Sequence, residues 1–255
     1  MEAARVVLVD DDVSIRRLVT MALAELPIEL VVCASGAEAL EALRLAPARL
    51  LITDLMMPGM SGFELLQRLV AEPSLRGSAR LAVFSAGLNA EAQARLAGLG
   101  VWREISKPVS VLALAATVEE ALAEDEQAPA AAPQAPASAN APPSDEAQAI
   151  RTHFAGNAEL FHAFKAGCLL QFQDDLHQLQ AALDRRDAGA LRRLGHSLKS
   201  VLHTLGFAQA ASHARALEVA AAGQDWAAVA AHGSALRLSL ESLAVAASPA
   251  RPSGG

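Results

Sequence analysis

Residues 125–143 divide the chain, because no hydrophobic core can run through them. Pro129, Pro133, Pro136, Pro142 and Pro143 stand there among alanines and short polar residues. Repeated prolines in such company cannot build a core and favour an extended, semi-stiff chain. The segment therefore reads as a flexible linker that can span up to roughly 60 Å, at about 3.1 Å per residue. What remains of the 255 residues is enough for two domains of ordinary size. We expect these at 1–124 and 144–247, with 248–255 as a disordered tail.

The two segments carry different periodicities. Short apolar runs at 5–9, 29–34, 49–53, 81–85 and 101–106 alternate with amphipathic stretches at 14–25, 36–45, 62–71, 89–98 and 109–124. Nearly continuous apolar strands between helices imply an α/β doubly wound, five-stranded parallel sheet covered on both faces. Beyond the linker only helical spacing is found, at 144–155, 158–184, 188–205, 207–222 and 225–246. Leu191, Leu194, Leu198, Leu202 and Leu205 form one stripe; Trp226, Val229, Leu236, Leu240 and Leu243 form another. This pattern predicts an all-α, antiparallel helical bundle.

Charge and composition narrow the function. Residues 1–125 hold 17 Asp and Glu against 11 Lys and Arg, residues 144–255 hold 10 of each, and all seven histidines lie in the second segment. Neither has the basic excess expected of a nucleic-acid binder. No run of about 18 apolar residues is free of charge, so no membrane span is expected. The first residues do not read as a signal peptide. Cys33 and Cys168 sit in apolar stretches and read as buried hydrophobes of a reducing compartment. A soluble, cytoplasmic protein is expected, of unknown oligomeric state.

Doubly wound sheets build their sites at the carboxyl ends of their strands. There the first strand ends in Asp10, Asp11 and Asp12, the third in Asp54, the fourth in Ser85 and the fifth near Lys107. Clustered carboxylates resist joint ionisation unless a cation sits among them, and an oxygen-rich site with room for phosphate oxygens suits Mg²⁺. A carboxylate so placed can attack phosphorus and form an aspartyl phosphate. Asp12 reads as the acidic start of the following helix.

These residues, with Pro58, Gly62, Ala86 and Pro108 at their spacings, resemble a response-regulator receiver domain of the CheY-like, flavodoxin-like kind over residues 4–124. The resemblance implies that Asp54 is the phosphoacceptor. Asp10, Asp11, Asp54 and the Met56 backbone carbonyl would hold Mg²⁺, Ser85 would be the switch hydroxyl, and Lys107 would contact the phosphoryl group. Three residues before Lys107, where receivers usually carry a switching aromatic, this chain has Glu104, with Trp102 two positions away.

In the second segment His196 is expected to point away from the leucine stripe and so to be exposed. Lys199 lies one turn on and Arg192 and Arg193 one turn back, an arrangement suited to an anion on the imidazole. The segment from Arg192 to Gly206 resembles a histidine phosphotransfer (Hpt) domain over about 144–246, which implies an all-α four-helix bundle with His-x-x-Lys on its second long helix. That resemblance implies that His196 is a phosphoacceptor with Lys199 beside it. Ser200 stands in place of the usual glycine, and His203 at a commonly small position. His203 is read as a docking or packing residue, and His153, His162, His177, His213 and His232 as ordinary bundle residues. Arg185–Arg186 and Arg192–Arg193 read either as a solvated face or as a landing site for an acidic rim.

Together the resemblances imply a phosphorelay protein rather than an enzyme, since nothing resembles an ATP-binding kinase domain and no hydrolase constellation is present. Its expected partners are a sensor histidine kinase and other receiver domains. The alternative is a phosphorylation-gated, sequestering or phosphate-sink module in which the first domain controls access to the second.

Overall fold

A computed structural model describes residues 3–88, 90–123 and 145–247. The expected linker and tail lie outside the described residues.

Strands β1 (Ala4–Val9), β2 (Ile28–Cys33), β3 (Leu50–Asp54), β4 (Arg80–Ser85) and β5 (Val101–Ser106) form one sheet in the order β2-β1-β3-β4-β5. Every pairing in it is parallel. Helices α1 (Val13–Ala22), α2 (Gly36–Leu45), α3 (Gly62–Ala71), α4 (Pro73–Arg76) and α5 (Ala90–Leu96) connect the strands, and α6 (Val111–Leu122) follows β5. Strand alternation sorts the core into two layers. Val6, Leu8, Leu50, Ile52 and Phe84 pack with Ile15, Leu18, Leu114 and Val118 of α1 and α6. Val7, Val9, Leu51 and Val83 pack with Leu40, Leu43, Leu65 and Leu66 of α2 and α3. Each fully buried large side chain contributes about 1.5–3 kcal/mol. The strand order reverses between β1 and β3, which brings Asp10 and Asp54 to the same rim.

Caps explain the helix starts. Asp12 accepts from the backbone N–H groups of Ser14 and Ile15, and Ser61 and Glu64 form a reciprocal capping box on α3. Helix α1 stops at Ala22, short of the predicted 25, ahead of Pro27, which disfavours helix at Leu26. Helix α4 was not foreseen, being a single turn begun by Pro73 and too short for periodicity to reveal.

The bundle comprises α7 (Asp145–His153), α8 (Ala158–Asp184), α9 (Ala188–Thr204), α10 (Ala208–Ala222) and α11 (Trp226–Ala247). Asn157 and Asp187 cap α8 and α9. Phe154, Phe161, Phe164 and Phe172 fill one part of the core and Leu191, Leu198 and Leu202 another. Helix α1 of the sheet domain packs against α8, so the apolar cluster on that side of the sheet continues into the bundle. No helix of the described residues is long and apolar enough to cross a membrane.

Candidate functional site

The strand ends deliver a buried charged cluster. Lys107 Nζ lies 2.6 Å from Asp10 Oδ2 and 3.4 Å from Asp54 Oδ2. Asp54 Oδ1 accepts from the Leu55 N–H at 2.7 Å, and Asp10 Oδ1 from the Asp12 N–H at 2.9 Å. Behind Asp54, the first residue of α3 has no room for a side chain, since a Cβ on Gly62 would lie 2.0 Å from the Asp54 carbonyl oxygen. Ser85 is buried and faces the same cavity as Asp54 and Met56.

One carboxylate oxygen each from Asp10, Asp11 and Asp54 lies within 4.8 Å of the others. Burial, assisted by neighbouring carboxylates, pushes Asp10 up to about 7 and Asp11 up to about 6, although Lys107 pulls both down. Burial also depresses Lys107, but Asp10 and Asp54 outweigh it and leave the ammonium firmly charged. One lysine does not neutralise three carboxylates. A hard divalent cation fits an all-oxygen set so arranged.

Strand β5 departs from a plain ladder. Leu81 pairs with Val101 and Ala82 with Arg103, so Trp102 falls in the irregularity. Its ring carries the guanidinium of Arg103 at 4.5 Å and that of Arg80 at 5.4 Å. Arg103 is in turn held by Glu120 through two bonds of 2.7 and 2.6 Å. Glu104 is exposed.

On the bundle side, His196 corrects one expectation: it is buried, at 7 % exposure. The periodicity argument placed it off the leucine stripe but had no knowledge of the sheet rim that lies over this face of α9. His196 Nδ1 is 2.8 Å from Glu218 Oε1 of α10, and Lys199 Nζ is 2.6 Å from Glu218 Oε2. Burial raises the Glu218 carboxyl, but the bonds from His196 and Lys199 outweigh it and hold it below the ordinary glutamate value. An ionised carboxylate only accepts, so Nδ1 bears the proton of the neutral ring and Nε2 the lone pair. Nε2 is buried without a hydrogen-bond partner among the described residues.

The two halves meet here. A narrow cleft is lined by Asp10, Asp11, Asp54 and Lys107 from one side and by Arg193, His196 and Ser197 from the other. An adjoining cavity of about 420 Å³ joins Asp54 and Ser85 to Arg192, His196, Lys199 and Glu218. Ser197 Oγ donates to Asp12 Oδ2 across the boundary. Arg192 and Arg193 thus flank His196, each facing a different part of the rim. Arg185 and Arg186 do not line these cavities, and the Arg186 guanidinium lies 5.8 Å from the Trp226 ring centre.

Residues 6–119 match the family model of the response regulator receiver domain, and residues 167–246 that of the Hpt domain. Over 119 residues the chain is 30% identical to the probable chemotaxis protein CheY of Rhizobium etli, covering 92% of that protein and 46% of this chain. This chain is a two-component phosphorelay protein with a receiver domain and an Hpt domain. The receiver–Hpt chain is also 30% identical over 222 residues, 80% of its length, to the sensory/regulatory protein RpfC of Xanthomonas campestris pv. campestris. It spans only 29% of that relative. Among solved structures, the chemotaxis protein CheY4 of Vibrio cholerae is 28% identical, with a TM-score of 0.44, over 47% of this chain and 99% of that one.

Two residues of the receiver–Hpt cleft were given no role from the sequence, although Leu217–Glu218 is among the positions that carry the Hpt resemblance. Glu218 follows His196 by 22 positions on another helix, and no spacing rule links residues so far apart. Ser197 adjoins His196, but its partner Asp12 belongs to the receiver. His203 is exposed, sets its ring edgewise 5.8 Å from that of His153, and lines a groove with Lys107, Ser200 and Arg215. Burial, with His203 nearby, drives His153 down to about 4, so it sits neutral in the bundle. Among the described residues no histidine joins a cluster with metal-ligand geometry.

Proposed function

We propose that the chain carries phosphoryl groups on Asp54 and on His196 and exchanges them directly between the two within one docked molecule. The observation that carries this reading is His196 Nε2, buried and unpartnered in the cleft shared with Asp54 and Lys107. Native structures rarely leave a buried polar atom without a partner unless it has work to do there. From an aspartyl phosphate, the Nε2 lone pair attacks phosphorus. The N–P bond forms as the P–O bond to Asp54 breaks, and that electron pair returns to the Asp54 carboxylate. Nδ1 keeps its proton toward Glu218, whose charge stabilises the ring as it becomes positive. Lys107 and Lys199 offset the charge of the phosphoryl oxygens from opposite sides, and the reverse transfer follows the same path.

Asp10, Asp11, Asp54 and the Met56 carbonyl would hold Mg²⁺, in keeping with the oxygen-only donor set. When bound, the ion supplies positive charge against the phosphoryl oxygens. We take the phosphoryl group to come from a sensor histidine kinase, and other receivers to be further partners of His196. On this reading the chain is a cytoplasmic phosphotransfer protein and not itself a kinase.

One observation favours a second reading. Because His196 lies beneath the receiver rim, another partner reaches it only after undocking, so the receiver would gate the Hpt domain. Labelling separates the two. A phosphorylated partner kinase is incubated with wild type, Asp54→Asn and His196→Gln, and acid-labile and base-labile phosphate are followed on the chain. Direct exchange requires that Asp54→Asn slow the labelling of His196; labelling at the wild-type rate sinks it. Faster labelling in Asp54→Asn is the signature of gating.

A further inference from the structure

Gly195 stands immediately before His196, buried in the interior of α9. Leu191, Leu198 and Leu202 bury the same face of that helix, so periodicity calls for a large apolar side chain there. Glycine is among the poorest residues for a helix interior, and the backbone at 195 has no left-handed φ to ask for it. The reason lies on the neighbouring helix. A Cβ at Gly195 would meet the Ala214 carbonyl oxygen at 2.8 Å, the Glu218 nitrogen at 2.9 Å and the Glu218 Cα at 3.2 Å.

The first two of those atoms are the ends of one helical hydrogen bond of α10, from the Glu218 N–H to the Ala214 carbonyl. A methyl group at 195 would therefore bear on backbone, which cannot swing aside as a side chain does. Ala211, Ala214 and Ala221 are buried at helical spacing around Glu218, and small residues at a contact let two helices lie close. Glu218 thus starts from backbone that touches the residue before His196. From there its carboxylate reaches both His196 Nδ1 at 2.8 Å and Lys199 Nζ at 2.6 Å.

We infer that Gly195 is a positioning residue for phosphoryl exchange. Its missing side chain sets the separation of α9 and α10 at which Glu218 holds His196 with the proton on Nδ1 and leaves Nε2 open beside Asp54. A carbon atom needs about 3.5 Å from its non-bonded neighbours, so a side chain at 195 moves α10 away by roughly 0.7 Å. A shift of that size takes the 2.8 Å contact to the limit of a hydrogen bond. The ring is then released to carry its proton on Nε2, where no lone pair is left to attack phosphorus. The inference deepens the Asp54–His196 reading and rests on it for the transfer rate, but not for the tautomer.

Gly195→Ala in the full chain tests it, beside Gly189→Ala as a control on the same helix. A Cβ at Gly189 would meet only the Arg193 and Asp187 side chains, at 3.4 Å, which is an ordinary contact. Both changes raise helix propensity, so they differ in what the new methyl touches. Nitrogen NMR of His196 is expected to show one Nδ1–H tautomer in wild type and Gly189→Ala, and a mixture in Gly195→Ala. Labelling of His196 by way of Asp54, started with a phosphorylated partner kinase, should slow about tenfold in Gly195→Ala and keep the wild-type rate in Gly189→Ala. Adding Glu218→Gln to Gly195→Ala should slow it by less than about twofold more, because both changes remove the same contact. A single Nδ1–H tautomer in Gly195→Ala, an undiminished rate, equal effects of the two glycine substitutions, or losses that multiply with Glu218→Gln each overturns the inference. So does the loss of a cooperative thermal transition in Gly195→Ala, which marks the glycine as a requirement of the bundle rather than of the histidine. The NMR measurement needs no phosphate. A tautomer change in a protein whose wild type never labels His196 through Asp54 refutes the transfer reading alone. Wild-type transfer with an unchanged tautomer in Gly195→Ala refutes only this one.

Discussion

His196 and Glu218 form a hydrogen-bonded pair between two helices of the bundle, with Nδ1 and Oε1 2.8 Å apart. The pair determines which ring nitrogen is free to react, and Lys199, bound to the other carboxylate oxygen at 2.6 Å, locks the acid in place.

Glu218→Gln keeps the shape and removes the charge. We expect phosphoryl arrival at His196 to slow by about ten- to hundredfold, the worth of a charge-assisted hydrogen bond of roughly 1.5–3 kcal/mol. Nitrogen NMR of the imidazole should show loss of the single Nδ1–H tautomer. Because the Glu218 pKa is lowered, its contribution is complete above the ordinary glutamate value and fades only as pH falls through the lower folded value. A wild-type rate in Glu218→Gln contradicts the positioning role.

The rim carboxylates make the opposite pH prediction. Burial first, then mutual repulsion, raises Asp10 to about 7 and Asp11 to about 6. Raised acids favour the fold while protonated, so cation-free stability is greatest in acid and declines as pH rises through these values. Mg²⁺ relieves the repulsion, so its stabilisation in thermal melts should be larger at pH 8 than at pH 5 and absent with a chelator. An equal shift at both pH values counts against the site.

Asp175 offers a similar test at the α1–α8 boundary. Burial raises it to about 7, the Gln171 bond lowers it, and Asp12 and Asp174 raise it further. Its ionisation opposes the packed state above that pH. Asp175→Asn should stabilise the chain by about 1–3 kcal/mol more at pH 8 than near pH 4, because the unfolded aspartate ionises at its ordinary value and the packed one only at about 7. Melting curves at the two pH values decide this, and stabilisation equal at both contradicts it.

Trp102 is clamped by Arg80 and Arg103, each such cation–π contact contributing about 0.5–2 kcal/mol. A ring so held is not expected to change rotamer when Asp54 is occupied. With Trp226→Phe isolating its signal, Trp102 fluorescence should stay constant as beryllofluoride and Mg²⁺ are added. A shift in emission maximum means that the ring moves with the site.

The sheet was legible because Val6–Val9 and Leu50–Thr53 are apolar on both faces, which only a doubly covered parallel sheet accommodates. Asp10, Asp54, Ser85 and Lys107 were legible for the same reason, since their places at strand ends follow from topology once the strands are known. The bundle was legible from its leucine stripes. Glu218 was not, because its meaning comes from a contact between helices.

From sequence alone come two domain types, a rim of carboxylates with one lysine, and a histidine with a lysine one turn on. These rest on local periodicity and on short motifs, which the chain states in order. Tertiary structure alone decided that His196 is buried, that Glu218 orients its ring, and that Nε2 is left open beside Asp54. Each of these depends on the close approach of surfaces far apart in the chain, where burial and partner geometry set the chemistry and residue spacing carries no record of them.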